Sequence, residues 1–112
     1  MRWVEVCAVD DLEEEDVIRF VHGGSTYAVY RLVGEEFRAT DGLCTHEQAH
    51  LCGGLVMDGI IECPKHNGRF DIRTGEPQRK PVNVALATYD VAVVDGRLVS
   101  DLVPRVDADA KA

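Results

Sequence analysis

A chain of 112 residues suits one domain rather than two. With 46% apolar and 29% charged residues it has the balance of a soluble globular protein, and no stretch approaches the roughly 20 apolar residues of a membrane-spanning helix. The net charge of −8, from 20 acidic and 12 basic side chains, argues against a nucleic-acid surface and permits a basic protein partner.

The opening residues, Met1 to Val6, have no basic segment followed by an apolar run, so they predict a cytoplasmic chain without a secretory signal. Trp3 to Ala8 alternates as a strand does. The acidic run Asp10 to Asp16 reads as a solvated connection with at most one helical turn. Val17 to Val21 and Thr26 to Leu32 are β-branched and aromatic runs on either side of His22-Gly23-Gly24-Ser25, a hairpin pattern. Glu36 to Thr40 follows the turn at Gly34. Leu55 to Met57 and Ile60 to Glu62 flank Asp58-Gly59, and Tyr89 to Val94 and Arg97 to Val99 flank Asp95-Gly96. Both dipeptides favour type I′ turns. Repeated hairpins with no sustained helical period predict an all-β sandwich or barrel. Three less regular segments lie between the strands, at 41–54, 63–68 and 75–81. Residues 103–112 read as a flexible tail after a domain spanning 1–102.

The first irregular segment contains Cys44-Thr45-His46. The second contains Cys63-Pro64-Lys65-His66, and 16 residues separate His46 from Cys63. Four cysteines in a cytoplasmic chain point to metal rather than disulfides. The Asp58-Gly59 hairpin returns the chain to its starting edge and sets the two segments side by side. Cys44, His46, Cys63 and His66 are then four convergent soft or borderline ligands. Structural zinc is the nearest rival, but zinc modules usually contribute two like ligands per arm. One Cys and one His per arm suit a binuclear cluster in which one iron takes both thiolates and the other both imidazoles.

These two boxes, with Gly68 and Phe70 after the second, resemble those of Rieske iron–sulfur proteins. The resemblance runs from Trp3 to about Leu102. It implies one [2Fe–2S] cluster on Cys44, His46, Cys63 and His66, in a cluster-binding subdomain at one end of the β-domain. It also implies that residues 75–81 form a proline-containing loop covering the cluster. Relatives in respiratory complexes add a cysteine to each box and pair them; here Pro64 and Lys65 stand between Cys63 and His66, so no such disulfide is expected. Those relatives also carry Ser and Tyr donors where this chain has Gly68 and Phe70. Without them the more negative, reduced cluster is less stabilised, which predicts a potential near the low end of the Rieske range, about −150 mV.

This combination is similar to the ferredoxins of bacterial aromatic ring-hydroxylating oxygenases. The resemblance implies an electron carrier rather than an enzyme, a cytoplasmic monomer passing electrons from a flavin-dependent NAD(P)H ferredoxin reductase to the Rieske centre of a terminal oxygenase. The alternatives are the small subunit of a NADH-dependent nitrite reductase and a zinc-binding interaction module. Cys7 reads as small core filler. Cys52 is expected to be a partly buried thiol, His50 a solvent-facing loop residue and His22 chemically idle. Gly53-Gly54 and Gly68 are expected to let the backbone turn tightly about the cluster. Glu47, Gln48, Lys65 and Asn67 should rim its exposed edge.

Overall fold

The computed structural model describes residues 3–45, 48–65, 67–79 and 84–105. Alternation and turn chemistry set the strands: β1 (Val4–Ala8), β2 (Asp16–His22), β3 (Ser25–Leu32), β4 (Glu36–Asp41), β5 (Leu55–Met57), β6 (Ile60–Glu62), β7 (Arg69–Asp71), β8 (Pro77–Arg79), β9 (Thr88–Val94) and β10 (Arg97–Pro104). Short 3₁₀ turns occupy Val9–Asp11 and Leu51–Gly53. A six-stranded antiparallel sheet runs in the order β1-β10-β9-β4-β3-β2, and a four-stranded sheet in the order β5-β6-β7-β8. The architecture is the all-β one expected.

The hairpins form where the dipeptides predicted. Asp58 and Gly59 sit at φ 55° and 76°, and Asp95 and Gly96 at φ 51° and 76°. Two consecutive positive φ values are the type I′ requirement. Gly23 and Gly24 meet it as well, at φ 60° and 81°, which pairs His22 with Ser25 across the turn.

Strand β3 separates two cores. Ala28, Tyr30 and Leu32 face a buried cluster shared with Cys44, Leu51, Ile61, Cys63 and Phe70. Val29, on the opposite face, belongs to a second cluster with Cys7, Leu12, Ala39, Tyr89 and Leu98. The period of two in a strand covered on both sides produces this division. The one polar group that Tyr30 brings inside is satisfied: its hydroxyl donates to Thr40 Oγ1 at 2.8 Å, and Thr40 in turn donates to the Asp41 carbonyl at 2.7 Å.

Two boundaries differ from expectation. Within the segment 75–81, Pro77–Arg79 is strand β8, paired with β7, and not a loop. Pro77 is tolerated because it opens an edge strand, where a missing N–H costs least; Lys80 and Pro81 lie outside the described residues. The ordered chain also continues past residue 102. Leu102 takes φ 55°, and its N–H finds Ser100 Oγ at 3.1 Å while that of Val103 finds Asp101 Oδ1 at 3.1 Å. These bonds carry β10 through a kink. Pro104 then pairs with Tyr89, and Arg105 N–H donates to the Thr88 carbonyl at 2.8 Å. Residues 106–112 lie outside the described set.

Candidate metal centre

Cys44 and Cys63 are each 1% exposed and belong to the same buried cluster. They stand on two loops built alike. In the first, Cys44 N–H donates to the Ala49 carbonyl at 2.8 Å, and Gln48, four residues after the cysteine, takes φ 57°. In the second, Cys63 N–H donates to the Gly68 carbonyl at 2.7 Å, and Asn67, again four residues on, takes φ 58°. Each loop therefore closes by a bond from the cysteine to the fifth residue ahead, with a left-handed residue just before it. Asparagine tolerates that conformation better than most side chains. The expectation that glycine makes this turn is corrected here: the left-handed residues are Gln48 and Asn67.

Gly54 has a different reason to be glycine. A Cβ there would run into the Glu62 carbonyl, so the exit of the first loop lies directly on the end of β6, where the second loop begins. Gly53 lies beside Pro64, 3.9 Å from where its Cβ would be to Pro64 Cγ. The base of the first loop is closed by the bridge between Leu43 and His50 and by Leu51 N–H donating to the Gly42 carbonyl at 2.9 Å. Thr45, between Cys44 and His46, donates its hydroxyl to the Val84 carbonyl at 2.7 Å. That bond holds the first loop to the segment leading into β9. Asp41, at the end of β4, holds the same segment: it accepts Tyr89 OH at 2.6 Å and Ala87 N–H at 3.1 Å. Burial, followed by the bond to Asp41, pushes the Tyr89 phenol well above its ordinary range.

His46 and His66, and Glu47 of the expected rim, lie outside the described residues. Gln48, Lys65 and Asn67 are exposed. None of the four cysteines is in a disulfide. Cys7 is core filler in the second cluster, and burial raises its thiol pKa, with Asp11 adding to the effect. Cys52 is half-buried in the 3₁₀ turn. His50 is exposed, and His22, at the end of β2, stacks on Phe20 with ring centroids 6.1 Å apart. Phe70, where high-potential relatives carry tyrosine, is fully buried in the cluster that contains both loop thiols.

Two buried thiols on adjoining loops, each followed by a histidine in sequence, fit a binuclear iron–sulfur cluster, which would take both as thiolates and compensate their charge in a largely apolar interior. Comparison with known proteins agrees. The sequence pattern of the Rieske [2Fe–2S] domain matches residues 2–90. The ferredoxin component of the naphthalene 1,2-dioxygenase system of Pseudomonas putida is 39% identical over 102 residues, covering 91% of this chain and 97% of that protein. Among solved structures, a complex of reduced oxygenase and oxidized ferredoxin in carbazole 1,9a-dioxygenase contains a chain that superposes with a TM-score of 0.87 at 35% identity, covering 93% of this chain and 96% of the other. A Mycobacterium tuberculosis protein described as a NADH-dependent nitrite reductase small subunit superposes with a TM-score of 0.77 at 22% identity, covering 93% and 95%. That last likeness is one of fold.

Proposed function

The chain belongs to the Rieske [2Fe–2S] family, and from that premise we propose that it is the ferredoxin of a ring-hydroxylating oxygenase system. In this reading it is a cytoplasmic monomer that takes electrons from a flavin-dependent NAD(P)H reductase and delivers them to a terminal oxygenase. Cys44 and Cys63 hold one iron of a single [2Fe–2S] cluster, and His46 and His66 hold the other. When bound, the cluster supplies a reversible one-electron couple. The rest of the work belongs to the chain. Phe70, Ile61 and Leu51, each fully buried, exclude water from the thiol side. The matched bonds of Cys44 and Cys63 to the carbonyls five residues ahead hold both loops in shape. All four ligand positions are filled by protein, which leaves no open site for substrate. The observation that carries the reading is the pair of like-built loops with buried thiols, in a chain 39% identical to a dioxygenase ferredoxin component.

The test is substitution of each cysteine and a ligand histidine. Cys44→Ser, Cys63→Ser and His66→Ala should abolish the visible chromophore and lower thermal stability, since metal binding contributes folding energy. Cys7→Ser and Cys52→Ser should retain the full iron content of the parent protein. Loss of the cluster in Cys52→Ser, or its retention in Cys44→Ser, would contradict the ligand assignment.

A further inference from the structure

The charged groups of this acidic chain are unevenly placed. Of nine basic side chains among the described residues, six form ion pairs with carboxylates. The other three, Arg19, Lys65 and Arg79, have no carboxylate partner among the described residues. Lys65 is exposed on the second cysteine loop. Arg79 is exposed on β8 and pairs across the strands with Arg69, whose own partner is Glu62 at 3.0 Å. The cross-strand row Leu55, Glu62, Arg69, Arg79 thus lies on one face of the four-stranded sheet, at the end next to Cys63.

The same face is apolar at its centre. Leu55 and Met57 are 56% and 48% exposed, and with Ile60 they line a shallow groove of about 120 Å³ whose wall includes Arg69. Leu55 and Glu62 also line the adjoining cleft beside Cys63 and Pro64, so the groove runs on to the second loop. At the opposite end of the sheet the Arg73 guanidinium lies against Gly59, where Glu36 neutralises it. There the Asp58 N–H donates to Glu15 of the acidic run, at 3.0 Å. The face is therefore apolar in the middle, cationic toward the cysteine loop and anionic away from it.

We propose that this outer face of β5–β8 is a docking surface for an acidic face, bearing a protruding apolar side chain, on an electron-transfer partner. The proposal rests on the carrier reading above and adds to it the chemistry of the partner. Net charge alone permits a basic partner; the local field at the loop end selects an acidic one. An acidic face is drawn to Lys65 and Arg79 and repelled by the Glu15 end, and that gradient sets its orientation with the second loop inside the contact. The exposed Leu55 and Met57 supply the dehydrated centre that such contacts need.

A gold surface coated with a mixed monolayer of carboxylate- and methyl-terminated thiols stands in for that partner. The iron-loaded protein should adsorb to it and give a voltammetric couple, despite its net charge of −8. Arg79→Glu combined with Met57→Asp should lose both the adsorbed mass and the couple while keeping the visible spectrum. Both positions are exposed, so the fold should survive. Glu13→Gln with Glu14→Gln should leave both signals in place. Adsorption only to an amine-terminated monolayer, or adsorption unaffected by the Arg79→Glu/Met57→Asp pair, would overturn the proposal. So would a solution dimer dispersed by Met57→Asp, because the face would then hold a second copy of the chain. Adsorption that follows the variants with no couple and no chromophore would uphold the docking surface and overturn the cluster reading.

Discussion

Phe70 is the residue at which side-chain chemistry bears most directly on the potential. It is fully buried among the groups that include Cys44 and Cys63 and has no donor to offer a sulfur. Phe70→Tyr adds one hydroxyl in this interior. A hydrogen bond to a charged group is worth about 1.5–3 kcal/mol, and about 1 kcal/mol of it should differ between the oxidised and the more negative reduced state. At about 59 mV per tenfold change for one electron, the potential should rise by about 40 mV. Voltammetry of Phe70→Tyr with an intact chromophore checks this; an unchanged or lowered potential, with the hydroxyl bonded to sulfur, would sink the argument. The two cysteine loops were legible in the sequence because Cys44-Thr45-His46 and Cys63-Pro64-Lys65-His66 are local patterns. The left-handed turns were not. They fall on Gln48 and Asn67, which have no glycine to mark them, and only the closing bonds from Cys44 and Cys63 show why those backbones turn there.

Between elements, the two sheets are joined by a carboxylate held between two guanidiniums. Glu36 on β4 accepts two bonds at 2.8 Å from Arg73, beyond β7, and one at 2.7 Å from Arg38. Arg73, then Arg38, holds the Glu36 carboxyl below its ordinary range. A depressed folded-state value means stability that is present above the unfolded pKa of about 4.3 and lost as pH falls through the folded value. Both partners are partly exposed, so the worth is that of a surface pair, about 0.5–1 kcal/mol. Arg73→Ala should therefore lower urea-unfolding stability by about that much at pH 7. The gap between variant and parent should narrow as pH falls below about 4. A gap that widens on acidification would contradict the assignment. The hairpins of both sheets were readable from Asp58-Gly59, Asp95-Gly96 and Gly23-Gly24, where turn type follows from residue type. Strand β8 was not, because three residues led by Pro77 have no periodicity and pair only once β7 is in place. The end of β10 was hidden likewise: Leu102 at positive φ breaks the alternation, and side-chain oxygens of Ser100 and Asp101 carry the chain across the break.

For the whole molecule, the two cores on either side of β3 divide the labour. One, around Val29, Tyr89 and Leu98, makes the scaffold; the other, around Tyr30, Ile61 and Phe70, carries the cysteine loops at its edge. Net charge was legible from composition, but its distribution was not, since strand pairing alone brings Arg69 and Arg79 together beside the second loop. The central claim is that two thiolates and two imidazoles of this chain hold one [2Fe–2S] cluster. Pulsed electron paramagnetic resonance of the reduced protein, labelled with ¹⁵N-histidine, tests it most directly. A mixed-valent signal coupled to nitrogens of two histidines, with the coupling to one of them lost in any His46 or His66 variant that retains a cluster, is the predicted result. A colourless, diamagnetic protein containing zinc, or an iron–sulfur signal with no histidine nitrogen coupling, would contradict it.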